Sequence, residues 1–163
     1  MKFCSIWSCA LGLLVTGCGT SSWQDYSSTA GKFTVQFPDK PREKEETHFG
    51  VTARIVVLEQ KDRTFSVTYA DLTPEQVARL SLDDYAEGSI EGVKGSTKTG
   101  QETIKLGDHL GRDVRADLLD SKELRNRIYQ VKNRIYHLTV VGKKGFGSSA
   151  EAEKFFNSFR LTN

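Results

Sequence analysis

The sequence contains little cysteine, and all of it lies near the amino terminus. The three cysteines among its 163 residues are Cys4, Cys9 and Cys18. The chain beyond Cys18 therefore has no thiol, which excludes disulfide bonds, thiolate catalysis and cysteine-ligated zinc from that part of the protein.

An excess of charge of one sign is also lacking. Lys and Arg number 23 and Asp and Glu 21, which gives a formal net charge of +2. A nucleic-acid-binding domain is usually strongly basic, so we expect no nucleic-acid partner. The charged fraction of 27% and hydrophobic fraction of 37% are typical of a folded domain rather than of a coiled coil or a disordered chain.

No sequence motif predicts a catalytic, metal or cofactor site. The three histidines, His48, His109 and His137, do not have metal-ligand spacing. There is no Gly-x-Ser-x-Gly nucleophile motif, and we interpret the Asp83-Asp84 pair as favourable charge at a helix start. We therefore expect no catalytic residue, no metal and no cofactor, and we predict that the protein is not an enzyme.

The first seventeen residues have the pattern of a removable secretory signal. Met1 and Lys2 precede an apolar stretch over residues 3–15, which is too short to span a bilayer. The following Val15-Thr16-Gly17-Cys18 resembles the lipobox of bacterial lipoproteins, in which a branched apolar residue and two small residues precede a cysteine.

The lipobox resemblance implies cleavage before Cys18 and a lipid attached to the Cys18 sulfur. Two or more acyl chains would make the anchor stable, since each buried CH₂ contributes about 0.8 kcal/mol. Gly19 stands where Asp would signal inner-membrane retention, which favours the outer membrane, with the protein facing the periplasm. An ordinary signal peptide with a nearby cysteine and an uncleaved amino-terminal anchor are the alternatives.

Residues 1–17 are thus expected to be a signal peptide, residues 18–31 the lipidated cysteine with a flexible tether, and residues 32–163 a single domain. The tether prediction rests on a segment rich in Ser, Thr and Gly that has no periodicity. Trp23 and Tyr26 interrupt it. Their rings could contact lipid headgroups or dock onto the domain.

Alternation of apolar and polar residues predicts the strands. The expected strands are 32–37, 51–58, 64–69, 102–106, 112–119, 123–131 and 134–141, of which the last four form an antiparallel meander. The charged run 42–46 is expected to be a solvated segment.

Two helical regions are predicted from their caps. Thr73 and Gln76 form a capping-box pattern before a helix that ends near Lys94 and that a break near Ser81 would divide. Ser149 precedes a second helix with a strongly aromatic face. The order of elements predicts an α+β domain with a mainly antiparallel sheet flanked by helices.

Several segments carry a resemblance to a known family. They are FTVQFP at 33–38, GRD at 111–113, RIY at 127–129, RIYHLTVVG at 134–142 and AEKFFNSF at 152–159. These segments are similar to the PsbP-like fold, which is named for an extrinsic photosystem II subunit and is shared with many bacterial lipoproteins. The resemblance covers about residues 32–161. It implies an α/β/α sandwich that acts through protein contacts, without a shared catalytic site.

The charge layout is uneven, because residues 71–91 are mainly acidic and residues 122–144 mainly basic. We predict that a basic face binds an envelope protein, an acidic polymer or anionic lipid headgroups. Its residues are Arg125, Arg127, Lys132, Arg134, Lys143 and Lys144. The alternative is that both regions are merely solvated.

These observations together predict a lipid-anchored cell-envelope protein that acts as a non-catalytic binding or accessory module. Two other functions stay open. One is an envelope enzyme whose site is assembled from dispersed residues, and the other is a structural component of the envelope.

Overall fold

A computed structural model describes residues 23–48 and 50–162. The strands are β1 (Gln24–Ser28), β2 (Phe33–Phe37), β3 (Arg42–His48), β4 (Val51–Glu59), β5 (Thr64–Asp71), β6 (Thr97–Leu106), β7 (His109–Asp117), β8 (Lys122–Val131), β9 (Arg134–Lys143) and β10 (Arg160–Leu161). The helices are α1 (Pro74–Arg79), α2 (Leu82–Glu91) and α3 (Ala150–Ser158).

Seven strands form one sheet with the order β3-β4-β5-β9-β8-β7-β6, and every neighbouring pair is antiparallel. The predicted meander is confirmed as β6 to β9. A second sheet has the order β1-β2-β10. The predicted α+β class, with a mainly antiparallel sheet and a few helices, is therefore confirmed.

The seven-stranded sheet has a hydrophobic core on each side. On one side, α3 and the small sheet contribute aromatic residues such as Phe33, Phe37 and Phe155, all fully buried. On the other side, Ala86 and Ile90 of α2 pack on the sheet. Full burial of a large apolar side chain contributes roughly 1.5–3 kcal/mol, so the aromatic side is the larger source of stability.

The helix caps follow the sequence. The Thr73 side chain accepts a hydrogen bond from the Gln76 backbone, and the Gln76 side chain accepts one from the Thr73 backbone, which makes the predicted capping box. Leu80 has extended backbone angles, and Ser81 then caps α2, so the alternative with a break near Ser81 is confirmed. The end predicted near Lys94 is wrong, because α2 ends at Glu91.

The predicted tether is wrong for its second half, because Gln24–Ser28 is a strand paired with β2. The Tyr26 ring packs against Phe33 and Phe37, with centroids 6.0 and 6.1 Å apart. Burial of this ring holds a polar segment in a sheet, which its composition alone does not indicate. The domain thus includes Trp23 and β1 and does not begin at residue 32.

The charged run 42–46 is largely exposed, as predicted, and it belongs to the edge strand β3. Its charges form pairs with the neighbouring strand, as when Arg54 Nε donates to Glu45 Oε1 at 2.7 Å. A highly charged edge discourages pairing with another chain. Five strands therefore precede α1, where the sequence predicted three.

Candidate functional site

The strands run between two ends of the domain. Trp23 lies at one end, with its ring centroid 6.2 Å from that of Phe65, one residue after β5 begins. At the far end of β1, Ser28 Oγ lies 3.5 Å from the Tyr69 hydroxyl, close to where β5 ends. These are called the Trp23 end and the Tyr69 end below.

The six residues of the predicted basic face do not share one exposed surface. Arg125 and Arg127 lie beneath α3, and Arg125 is only 5% exposed. Lys132 and Arg134 lie at the Tyr69 end, whereas Lys143 and Lys144 lie at the Trp23 end. The ten residues of β9 separate these two pairs by about 30 Å. The prediction of a single basic face is therefore wrong.

Arg125 and Arg127 belong to a buried charge network. Asp113 is 2% exposed, and its carboxylate accepts hydrogen bonds from Arg125 Nε at 2.9 Å, Arg125 Nη2 at 2.7 Å and Arg127 Nε at 2.9 Å. Glu153 of α3 accepts from Arg127 Nη2 at 3.0 Å and also from Arg125 Nη1. The network therefore joins β7 and β8 to α3.

The network favours the charged forms of Arg125 and Glu153. Burial opposes the charge of Arg125, but hydrogen bonds to Asp113 and Glu153 outweigh it and raise the pKa of Arg125. Burial would raise the pKa of Glu153, but its bonds with the two arginines hold that pKa below its ordinary value. Both guanidinium groups also lie over the Phe156 ring, 5.2 and 4.7 Å from its centroid. Because these charges are paired with one another inside the protein, they do not form an exposed binding surface. The network instead holds α3 against the sheet.

The Tyr69 end contains an open groove with a cavity volume of about 640 Å³. It lies beside the β8–β9 turn, the first residues of β7 and the end of β10. Its lining residues are Lys32, Asp71, His109, Val131, Lys132, Asn133, Arg134, Tyr136, Leu161 and Thr162. Two residues of the predicted basic face, Lys132 and Arg134, thus belong to this groove.

Arg134 is fixed in the groove by its partners. Its Nε and Nη2 donate to the two carboxylate oxygens of Asp71 at 2.6 and 2.7 Å, and its Nη1 donates to the Ala30 carbonyl at 2.8 Å. The hydrogen bond from Arg134 holds the pKa of Asp71 below its ordinary value. The carboxylate therefore stays ionised, and three of the five N–H donors of Arg134 are engaged within the protein.

The two lysines of the groove differ from Arg134 because their ammonium groups have no carboxylate partner among the described residues. Lys32 and Lys132 are exposed, and neither ammonium group forms an ion pair with a carboxylate of residues 23–48 or 50–162. Both residues also have positive φ, 53° and 56°, a backbone region that residues other than Gly, Asn and Asp rarely adopt. The groove thus brings together two free cations on two strained turns.

Most of this groove is missed by sequence reasoning. Lys32, Asp71, His109 and Thr162 come from four distant parts of the chain. The only signal is the pairing of opposite charges at Asp71 and Arg134, which lie directly across from each other in β5 and β9. That register joins strands that are not consecutive in sequence, so it could not be read from local patterns.

The three histidines lie apart in the fold. His109 lines the groove, His48 is the last residue of β3, and His137 lies in β9 with its ring 6.1 Å from that of Tyr85. Burial lowers the pKa of His137 to about 4. Among the residues that the structure describes, no group of His, Cys, Asp and Glu could hold a metal ion.

The lipidation residue predicted from the sequence, Cys18, lies outside the described residues, as do the signal peptide and the first part of the tether. Within residues 23–48 and 50–162, no helix is both long enough and apolar enough to cross a membrane.

Comparison with known proteins shows what the fold resembles. No family model and no curated protein matches the sequence. The solution structure of cyanobacterial PsbP (CyanoP) from Synechocystis sp. PCC 6803 matches with a TM-score of 0.63 at 13% identity, over 96% of this chain and 98% of that one. A crystal structure of a protein of unknown function from Pseudomonas aeruginosa matches with a TM-score of 0.43 at 12% identity, over 77% of this chain and 86% of that one. The likeness to cyanobacterial PsbP shows that the chain has a PsbP-like fold.

Proposed function

We propose that this protein is a lipid-anchored module of the bacterial cell envelope that binds a partner through the groove at its Tyr69 end. The anchor is a lipid on Cys18, and the membrane is the outer membrane, with the domain facing the periplasm. The module acts as a binding or accessory factor and performs no catalysis.

One structural observation carries the proposal, namely the distance in sequence between Cys18 and the fold. The Trp23 ring packs against Phe65, and only four residues, 19–22, separate Trp23 from Cys18. Even a fully extended chain of that length spans less than about 20 Å. A lipid on Cys18 would therefore hold the Trp23 end near the bilayer and leave the groove at the opposite end, accessible to a partner.

The carboxylate of the groove is better suited to ion pairing than to acid–base chemistry. This carboxylate, that of Asp71, is fixed in a two-bond ion pair with Arg134. A general acid or base must exchange a proton near neutral pH, whereas this pair lowers the pKa of Asp71. The free lysines beside it can attract an anionic partner.

The anchor is tested by expressing the full chain with its own signal in a bacterium and measuring its intact mass. We expect the wild type to lose residues 1–17, gain a lipid mass and sediment with the outer membrane. Cys9→Ala is a matched control, because the substituted residue lies in the removed signal and the mature mass should be identical to the wild type. Cys18→Ala should carry no lipid.

Two results would contradict a lipid anchor on Cys18. One is an unlipidated wild-type protein recovered in the soluble fraction, and the other is a lipid mass that persists on Cys18→Ala. Separation of the inner and outer membranes on a density gradient tests the outer-membrane assignment on the same samples.

A further inference from the structure

We propose that the groove at the Tyr69 end is a binding site for a phosphate group. This inference rests on the proposed function in one respect, because it names the ligand class for the same groove. It does not depend on the lipid, since the groove is formed entirely by residues of the folded domain.

The charge of the groove is the first argument. Its lining contains three basic residues, Lys32, Lys132 and Arg134, and one acidic residue, Asp71. Asp71 is neutralised by Arg134, so the two lysines leave the groove with a net positive charge. Asp108 lies in the adjoining β6–β7 turn but does not line the groove.

The backbone of the two lysines is the second argument. Four non-glycine residues of the described chain have positive φ, and two of them are Lys32 and Lys132. Both are exposed, so neither side chain offsets the strain by packing in the core. Strained backbone positions often cluster at functional sites, and here two such turns, far apart in sequence, place lysines at one groove.

The state of Arg134 leaves the two lysines as the free cations of the groove. A guanidinium group with two free parallel donors binds a carboxylate or a phosphate through two hydrogen bonds. In this groove those donors already bind Asp71, so the available cations are lysine ammonium groups. Lysine binds phosphate as a point charge, and the neighbouring Asn133 and Thr162 add neutral polar groups.

The size of the groove allows more than an isolated ion. Ligand sites usually measure about 300–1,000 Å³, and the groove has about 640 Å³. Val131, Tyr136 and Leu161 give it an apolar portion. An organic group attached to the phosphate could therefore be accommodated, so free phosphate and a phosphate ester are the two sources to compare.

The test is calorimetric titration of the full protein, purified from membranes in a neutral detergent at constant ionic strength. The probes are inorganic phosphate and glycerol 3-phosphate, with acetate as the carboxylate probe. We expect saturable binding of at least one phosphate probe and weaker binding of acetate. Tighter binding of glycerol 3-phosphate assigns the site to a phosphate ester, and tighter binding of inorganic phosphate assigns it to the free ion.

Two variants with the same change of net charge locate the site. Lys32→Gln with Lys132→Gln should weaken phosphate binding about tenfold or more, because the variant loses both charge-assisted contacts to the phosphate. Lys61→Gln with Lys143→Gln removes two lysines from the Trp23 end and should leave binding within about twofold of the wild type.

A third variant separates binding from folding. Glycine adopts positive φ without strain, so Lys32→Gly with Lys132→Gly should keep the wild-type melting temperature or raise it, while phosphate binding is lost. The proposal is overturned if neither phosphate probe binds, if acetate binds as tightly, or if the groove variants bind phosphate like the wild type. Failure of phosphate binding with an intact lipid anchor would refute the ligand class alone.

Discussion

Replacing Asp113 with alanine should strongly destabilise the protein. The change removes the acceptor of four hydrogen bonds from Arg125 and Arg127, all 3.0 Å or shorter. The Arg125 side chain is 7% exposed, so solvent cannot replace the lost carboxylate. Breaking a buried ion pair by removing one partner costs about 3–5 kcal/mol. Arg125 and Arg127 would then share the single carboxylate of Glu153, so part of the buried positive charge would be left without compensation.

Urea unfolding of the full chain measures this effect. With a denaturant slope of about 2 kcal/mol per molar, a loss of about 4 kcal/mol lowers the midpoint by about 2 M. Asp83→Ala is the matched control, because Asp83 binds Arg112 with the same two-bond geometry at 2.6 and 2.8 Å but has a 58% exposed side chain. Solvent screening makes such a pair weak, so its midpoint should change little.

The double variant Asp113→Ala with Arg125→Met tests the cause. If the uncompensated charge is responsible, removing Arg125 as well should restore part of the lost stability, and the two changes will not be additive. The reasoning is refuted if Asp113→Ala lowers the midpoint no more than Asp83→Ala does.

Three further changes test other parts of the fold. Burial lowers the pKa of His137 to about 4, so between pH about 6.5 and about 4 the unfolded chain binds a proton that the folded chain does not, and stability should fall as the pH falls. In urea unfolding, His137→Gln should lose less stability over this pH range than the wild type, and an equal loss would contradict the burial argument. A Cβ at Gly111 would lie 2.5 Å from the Ile128 carbonyl oxygen, so Gly111→Ala should cost about 1–3 kcal/mol, whereas Gly100→Ala, with open space around it, should cost clearly less in the same assay. Trp23→Ala should lower stability by about 2 kcal/mol, because a half-buried ring is lost. An unchanged urea midpoint would indicate that Trp23 belongs to the flexible tether and not to the domain.

The sequence predicted the elements whose signals are local. The capping box at Thr73 and the aromatic face after Ser149 depend on residues within two turns of helix, and the structure confirms both. The four strands of the meander are consecutive, so alternation and short turns were enough to define their order. The fold class followed from these elements.

The errors came from tertiary contacts. The segment at Gln24–Ser28 is polar, and it forms a strand because Tyr26 packs against β2. Arg125 was assigned to an exposed face from its charge, but its carboxylate partners lie 12 and 28 residues away. The groove was missed for the same reason, since its two lysines are separated by most of the domain.

The orientation of the domain on the membrane is the central claim, and fluorescence quenching tests it most directly. The mature protein would have no free thiol once Cys18 carries a lipid, so single cysteines introduced at Lys61, at the Trp23 end, and at Asn133, beside the groove, can be labelled specifically. In vesicles containing lipids with a quencher at the headgroup, the account predicts strong quenching of the label at position 61 and weak quenching of the label at position 133. Equal quenching at the two positions, or stronger quenching at position 133, would contradict it.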